Sequence, residues 1–459
     1  MSVHELKNTR PYLAFHQGTL ILKNYPYEPD PICLRWDRRS YQWRAKAMYY
    51  KEIVRWLDFK MIPFTNAASS FSRLNLCLPT ETALHPFQQE AVSAWQRAKK
   101  SGSICLPTGT GKSWVALQAM AVSKTSTLVV VPTLDLLHQW YALISTTFGV
   151  PVGLLGGSYH NIRDITVTTY DSAYIHMDKY GARFGLLVFD EVHHLPSTMY
   201  SHIPEMCIAP YRLGLTATYS RPDGRHGKLE GLIGPLVYEK SIVNLKGSHL
   251  AEYKTKKISV KLTHEEKAEY RKFQKIYLDY VREKKIKFKG HDLKPLLQRS
   301  GDEKARGALL ARMHARCIQL GAKSKLDVLE SLLKEHAKDR VLIFTASNDF
   351  VYSISETFLI PAITHHTKAK ERKWILDSFR HGTYSVLVTS RVLNEGVDIP
   401  SANVAIILSG SASPVEHLQR LGRILRKSKN KQAVLYELVT SGTKESQISF
   451  RRRQSDAYR

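Results

Sequence analysis

Short apolar runs of strand length recur through the middle and end of the chain: STLVVVP, FGLLVFDE, RVLIFT, YSVLVTS, NVAIILS and KQAVLYELV. Each is rich in Val, Ile or Leu and gives way to polar loop residues. Helix-length segments such as LDLLHQWYALI and KERKWILDSF lie between several of them. Strands that are apolar throughout, rather than alternating, belong to sheets covered on both faces, so the pattern predicts parallel sheets with helices on each side. The runs fall in two groups, before about 240 and after about 340, which predicts two α/β domains. At 459 residues the chain is in any case too long for one ordinary core.

Two segments break the pattern. The first 78 residues mix aromatic and basic side chains, as in CLRWDRRSYQWRAKAMYYKEIVRWL, and read as a small module of their own. Arginine beside aromatic rings suits phosphate and stacked-base contacts. A small core filled by Trp36, Trp43 and Trp56 is the alternative, and the sequence leaves both open. Further on, Tyr270, Phe273, Tyr277 and Tyr280 follow a three-four spacing, and Leu309, Met313, Cys317 and Leu320 come close to one. These predict a helical hairpin whose tip, REKKIKFKGHDLK, gathers Lys284, Lys285, Lys287 and Lys289, either as a basic contact surface or as a solvated charged loop. The expected divisions are 1–78, 79–250, 251–322 and 323–459.

The sign of the charge narrows the partner. A net charge of +26 favours a polyanion, because such a surface neutralises phosphates and releases counterions. The opening MSVHELKNTRPY lacks an apolar core of signal-peptide length, and no run of about 18 apolar residues occurs, so the chain reads as soluble and intracellular. Cys33, Cys77, Cys105, Cys207 and Cys317 are widely separated, which suits buried thiols better than a zinc or iron–sulfur site.

The strongest local signal is Leu106-Pro107-Thr108-Gly109-Thr110-Gly111-Lys112-Ser113, after a short apolar stretch and before the helical VALQAMA. Small residues let successive backbone N–H groups face a phosphate at a helix N-terminus; Lys112 reaches the β- and γ-phosphates and Ser113 ligates Mg²⁺. Leu106 stands where the usual first glycine is missing. Asp190 and Glu191 end the apolar strand GLLVF, where one carboxylate can hold a metal's water shell (Asp190) and the other orient an attacking water (Glu191). His193 and His194 lack further ligands for a metal site of their own. Downstream, Gln419-Arg420-Leu421-Gly422-Arg423-Ile424-Leu425-Arg426 places Arg423 and Arg426 three apart, as neighbours on a helix. Two close arginines call for an anion, either a nucleotide γ-phosphate when the second α/β domain closes on the first, or a nucleic-acid backbone.

With these motifs in order the chain resembles a superfamily 2 helicase. The match extends to Phe87-Gln88 in LHPFQ, PTLDLLHQW from Pro132, Thr168-Thr169-Tyr170, Thr216-Ala217-Thr218, and Thr389 to Pro400 in TSRVLNEGVDIP. Within that superfamily, GLTATYSRPDGRHGKLEGLIGP, DEVHHLP, FLIPAITHHT, HLQRLGRILRKSK, VLYELVTSGT and SFRRRQ resemble the archaeal-type XPB DNA repair helicases over nearly the whole chain. The resemblance implies two RecA-like domains, a small N-terminal α+β damage-recognition domain and a helical thumb. It implies ATP and Mg²⁺ as cofactors, with Gln88 reading adenine, Thr108, Gly109, Thr110, Gly111 and Asp398 holding nucleotide, and Gln419 joining the catalytic set. Thr133, Thr169 and Thr389 are expected to grip the nucleic-acid backbone, with the thumb lysines adding contacts. The implied activity is 3′-to-5′ DNA unwinding or duplex translocation in nucleotide excision repair. The implied setting is cytoplasmic and nucleoid-associated, as a monomer or a heterodimer with a nuclease partner.

The likeness is not complete. The family commonly has Arg at His85 and Asp at Asn394, and Arg-Glu-Asp where this chain reads Arg221-Pro222-Asp223. Proline fixes its own φ and biases Arg221 towards an extended conformation, so the turn is expected to hold Arg221 and Asp223 in set directions, with Arg221 presented to the strand junction. Other readings of the motor are an RNA helicase, a restriction-type DNA motor, or an ATP-gated scaffold that recruits a nuclease.

Overall fold

The computed structural model describes residues 10–453, apart from 31–32, 81–82, 222, 246–251, 285, 287–301, 391–401 and 410–431. Two compact units emerge, with the break at Ser241/Ile242, earlier than the expected 250.

The first unit opens with a small sheet of β1 (Tyr12–His16), β2 (Thr19–Lys23), β3 (Arg35–Asp37), β4 (Gln42–Lys46) and β5 (Thr65–Ala67), in the order β3-β4-β2-β1-β5. Its pairings are antiparallel except β1 with β5. The helix Tyr50–Phe59 lays Ile53 and Leu57, both fully buried, on this sheet. Trp43 and Trp56 pack against the core, as the small-core reading expects, whereas Trp36 is 46% exposed. The module is not free-standing. Its core takes in Ile208 and packs Ala182, Lys46 Nζ pairs with Glu205 Oε1 at 2.6 Å, and Gly18 lies so close to the Met206 side chain that a Cβ would sit 2.8 Å from Met206 Cγ.

The eight-stranded sheet that follows comprises β6 (Ser101–Cys105), β7 (Thr127–Val131), β8 (Val152–Gly156), β9 (Tyr159–Asn161), β10 (Ile165–Thr169), β11 (Leu186–Phe189), β12 (Tyr211–Thr216) and β13 (Leu236–Glu239). Its order is β13-β6-β12-β11-β7-β10-β8-β9, with every pairing parallel except β8 with β9. β7, β10 and β11 are buried at every position, as expected for strands covered on both faces. Parallel register brings the carboxyl ends of β6, β7, β10, β11 and β12 to one edge, the place where open α/β sheets hold ligands. At the other end of β12, the buried Arg212 guanidinium donates to the carbonyls of Ala209, Leu232, Pro204 and Cys207. Those bonds tie the strand to the segment on which the N-terminal module sits.

In the second unit β14 (Glu252–Val260), β15 (Val341–Phe344), β16 (Ala362–Ile363), β17 (Val386–Thr389), β18 (Val404–Ile407) and β19 (Gln432–Thr440) form a parallel sheet ordered β14-β19-β18-β15-β17-β16. Residues 252–260, which open the expected 251–322 division, are thus an edge strand of this sheet, paired along their length with β19. The thumb is an insertion between β14 and β15, made of the helices His264–Glu283 and Glu303–Leu320. Tyr270, Tyr277 and Tyr280 are buried as their spacing predicts. The second helix departs from expectation in part: Leu320 is buried as expected, but the packing runs through Ala305, Ala308, Ala311 and Ala315, while Met313 and Cys317 are exposed. Alanines carry too little hydrophobicity to mark a face against Leu and Met, yet they let two helices approach closely. Next to the thumb, Lys325 is fully buried and its Nζ meets Glu445 Oε2 at 2.8 Å and Leu408 O at 2.6 Å. No helix among the described residues is long and apolar enough to cross a membrane.

Candidate nucleotide-binding site

β6 runs into a loop from Leu106 to Gly111, and a helix begins at Lys112 and continues to Ser123. Gly109 and Gly111 take φ of 87° and 74°, which side chains other than glycine rarely accept. A Cβ on Gly111 would also lie 2.7 Å from Gln88 Nε2. Leu106 explains how the usual first glycine can be absent: it keeps a negative φ, its side chain is buried, and its amide donates to Thr216 O at 3.0 Å.

The rest of the loop is shaped for a polyphosphate. Lys112 Nζ donates to Leu106 O at 3.1 Å and Pro107 O at 3.4 Å, and Thr110 Oγ1 donates to Pro107 O at 2.7 Å. Thr108 Oγ1 is buried without a hydrogen-bond partner. A glycine-shaped turn, a helix N-terminus, a lysine that rests on the loop's own carbonyls and an orphaned hydroxyl together fit the phosphates of a nucleotide. Ser113 stands in the first turn of that helix. Gln88 is buried, its Oε1 accepting from His85 N at 2.9 Å and its Nε2 donating to Thr110 O at 2.8 Å. This amide braces the phosphate loop, a role that its sequence context did not announce. His85, the N-cap of helix Pro86–Arg97, stacks on Phe87 at 5.6 Å.

β11 delivers Asp190 and Glu191 to the same sheet edge. Asp190 Oδ1 accepts from Glu191 N at 3.0 Å, and Oδ2 accepts from the Trp140 indole N–H at 2.9 Å. Burial pushes the Asp190 carboxyl up, to about 6, and the neighbouring Glu191 carboxylate adds to the push. Glu191 sits at φ 48°, a left-handed conformation that costs a non-glycine residue about 1 kcal/mol or more. Tyr170 Oη donates to Asp190 O at 3.0 Å. His193 Nδ1 lies 3.4 Å from Glu191 Oε2 and 3.2 Å from Thr216 Oγ1, joining the carboxylate to the end of β12. Trp140, Tyr170 and His193 stand in or beside the motifs read from the sequence, but nothing local marks their side chains as partners of the acidic pair.

The turn holds Arg221 and Asp223 in set directions, as expected: the Arg221 guanidinium donates to both Asp223 oxygens, at 3.0 and 2.8 Å, and to His193 O, which turns the side chain towards the domain. The Asp223 carboxyl is held well below the usual range by its Arg221 hydrogen bonds. The turn itself forms, with Gly224 N donating to Arg221 O at 3.1 Å.

The expected DNA-gripping threonines divide. Thr133 and Thr169 are the N-caps of helices Leu134–Phe148 and Tyr170–Tyr180, their hydroxyls accepting from Leu136 N and Ser172 N. Thr389 is fully buried, its hydroxyl donating to Ile363 O at 3.0 Å, so its side chain faces no solvent for a backbone contact. Lys284 caps the first thumb helix and lies 3.4 Å from Glu283. Lys285, Lys287, Lys289, Asn394, Asp398, Gln419, Arg423, Arg426 and Pro222 lie outside the described residues.

A P-loop and an acidic pair at the edge of one parallel sheet, followed by a second parallel α/β unit, define a nucleotide-driven motor of the superfamily 2 helicase class. Comparison with known proteins carries this further. Residues 81–221 match the family described as type III restriction enzyme, res subunit. Residues 324–428 match the helicase conserved C-terminal domain, and residues 13–68 the xeroderma pigmentosum group B helicase damage recognition domain. The chain is 41% identical to the DNA 3′-5′ translocase XPB2 of Sulfurisphaera tokodaii, over 96% of this chain and 100% of that one. It is 32% identical to the DNA 3′-5′ helicase XPB of Kineococcus radiotolerans, over 81% of this chain and 62% of that one. The chain belongs to the XPB helicase family. Among solved structures, the Pyrococcus furiosus Hef helicase domain superposes with a TM-score of 0.51 at 17% identity, covering 79% of this chain and 97% of that one. The Saccharomyces cerevisiae Dbp5 bound to RNA and ADP BeF3 gives 0.56 at 14%, covering 80% and 86%; at these identities the likeness is one of fold.

Proposed function

We propose that this protein is an ATP-driven DNA motor, a 3′-to-5′ translocase and helicase that opens duplex DNA for nucleotide excision repair. The observation that carries the reading is the convergence of the Lys112 loop, Asp190, Glu191 and Thr216 on one sheet edge, in a chain that aligns over 96% of its length with an archaeal XPB translocase. ATP with Mg²⁺ supplies the transferable phosphoryl group and the neutralising charge. Lys112 and the amides of the loop would bind the β- and γ-phosphates, Thr108 would gain a partner for its orphaned hydroxyl, and Ser113 and Asp190 would hold the metal. Glu191 orients the attacking water and takes its proton. Gln88 braces the loop and presents its helix to the base. Asp398, Gln419, Arg423 and Arg426 are assigned to the nucleotide on sequence grounds alone, the two arginines countering charge on the γ-phosphate.

DNA is the partner that the net charge of +26 favours. Thr133 and Thr169 place two helix N-termini for its backbone, and Lys284, Lys285, Lys287 and Lys289 add the thumb. On the N-terminal module, a groove of about 750 Å³ lined by Arg35, Trp36, Asp37, Arg39 and Arg44 sets an exposed ring beside arginines, two of them paired with Asp37, as a surface for distorted duplex. The setting is the cytoplasm at the nucleoid, with a nuclease completing the repair step.

The test is ATP hydrolysis and strand separation on forked, blunt and bubble DNA, on single strands and on RNA. Stimulation by DNA above RNA, with opening from a 3′ tail, supports the reading; equal stimulation by RNA, or none by either, overturns it. Running Glu191→Gln with an added nuclease separates motor from scaffold: cleavage that continues without turnover would make the motor secondary.

A further inference from the structure

Two aromatic hydrogen-bond donors reach the acidic pair from two different helices. The helix Leu134–Phe148 is capped by Thr133, and seven residues on, two turns along, it places Trp140 with its indole N–H on Asp190 Oδ2 at 2.9 Å. The helix Tyr170–Tyr180 is capped by Thr169, and its first residue directs its phenol to Asp190 O at 3.0 Å and Glu191 O at 3.4 Å. Both rings are 2% exposed, so neither bond competes with water. An indole nitrogen can only donate. Against a carboxylate oxygen it makes a charge-assisted bond that fixes the carboxylate plane, leaving Asp190 little freedom to turn without moving its helix.

The strand order β11-β7-β10 makes this meeting possible. β7 and β10 lead into the two capped helices, β7 lies between the other two strands, and β11 ends at the acids. A shift of either helix is thereby delivered to Asp190, by a side-chain bond from one and a main-chain bond from the other.

We propose that Trp140 and Tyr170 are positioning residues that couple the two helices assigned to DNA to the Asp190–Glu191 pair, so that DNA and the metal–nucleotide complex each alter the other's affinity through these two hydrogen bonds. This rests on the reading of the site as a DNA-driven ATPase.

Because coupling of two binding equilibria is reciprocal, it is measurable without turnover. The experiment titrates a fluorescent ADP analogue into the full chain with Mg²⁺ and with EDTA, each with and without duplex DNA, and takes the ratio of affinities as the coupling factor. Trp140→Phe is expected to move the factor at least about threefold towards one in the Mg²⁺ arm. Tyr170→Phe, which loses a hydroxyl and no ring, is expected to move it in the same direction. Trp95→Phe is the control: Trp95 is also buried and donates its indole N–H, at 2.9 Å, to Arg212 O, away from the acids. It is expected to lower the melting temperature comparably while keeping the wild-type factor. If Trp140→Phe and Tyr170→Phe both retain the wild-type factor, or if Trp95→Phe changes it as much, the positioning role is overturned. If wild type itself shows no DNA effect on Mg²⁺–nucleotide affinity and no DNA-stimulated hydrolysis, it is the motor reading that fails.

Discussion

Asp190 and Lys325 are buried charges in the two α/β units, and the protein surrounds them differently. Asp190 has an indole and an amide donor but, among the described residues, no cation within ion-pair distance, and its carboxyl is raised by burial. Lys325 has Glu445 at 2.8 Å and the carbonyls of Leu408, Gln319 and Leu320 around its Nζ, and Glu445 in turn accepts from Thr440 N. A buried acid held in place yet not neutralised is suited to receive a cation. A pair with its hydrogen bonds already made has no such vacancy and acts as a joint between the thumb's end, β18 and the last helix.

The largest expected effect tests the first half of the contrast. Glu191→Gln or Lys112→Ala should lower ATP hydrolysis about a hundredfold or more in a steady-state phosphate-release assay, with the melting temperature nearly unchanged. Lys325→Met should act the other way round, costing about 3–5 kcal/mol by leaving Glu445 buried without its cation, as read by denaturant unfolding. The double variant Lys325→Met/Glu445→Leu should recover most of that loss. Asp190→Asn should leave stability unchanged or raise it, and a loss as large as that of Lys325→Met would erase the distinction.

The pH dependence sharpens it. A carboxyl raised to about 6 is ionised above that value and protonates below it, so Mg²⁺-dependent nucleotide binding should weaken as pH falls through about 6, not 4. Glu191→Gln removes one of the two causes of the rise and should move the loss to lower pH. In fluorescence titrations from pH 5 to about 8, an unmoved midpoint would rule out Glu191 as a contributor.

Arg221 offers a smaller effect. Its bond to His193 O predicts that Arg221→Ala lowers DNA-stimulated hydrolysis and fork opening together, by about tenfold, whereas an outward wedge predicts loss of opening alone. Smallest is Lys284→Ala, which should reduce the slope of log affinity against log salt by about one while leaving nucleotide binding as it is.

How far the sequence carried differs by region for physical reasons. The two parallel sheets were legible because strands covered on both faces must be apolar throughout, and the phosphate loop because glycine and lysine are demanded by its backbone and its ligand. β14 was not, since an edge strand reading EYKTKKISV gathers Lys254, Lys256 and Lys257 in its middle and has neither a continuous apolar run nor a clean alternation until β19 pairs with it. The alanine face of the second thumb helix stayed hidden behind larger side chains that point to water. Thr389 illustrates another limit: a threonine at a strand's end can serve a ligand or its own neighbours, and only the Ile363 carbonyl at 3.0 Å shows which. Trp140 and Tyr170 were quoted as parts of motifs, yet nothing local says that two rings from separate helices meet one acid.

The seating of the N-terminal module bears on where the chain can be divided. Residues 1–78 look detachable in sequence, and the sheet they contain is complete. Yet Ile208 belongs to that module's core, Ala182 packs against it, and Met206 lies on Gly18. A shortened protein beginning at residue 79 would carry this apolar footprint uncovered, beside a Glu205 that had lost Lys46. Such a patch promotes self-association. A helicase fragment prepared that way should therefore sediment as aggregate unless the footprint is recast with polar residues, and its loss of activity would say nothing about damage recognition.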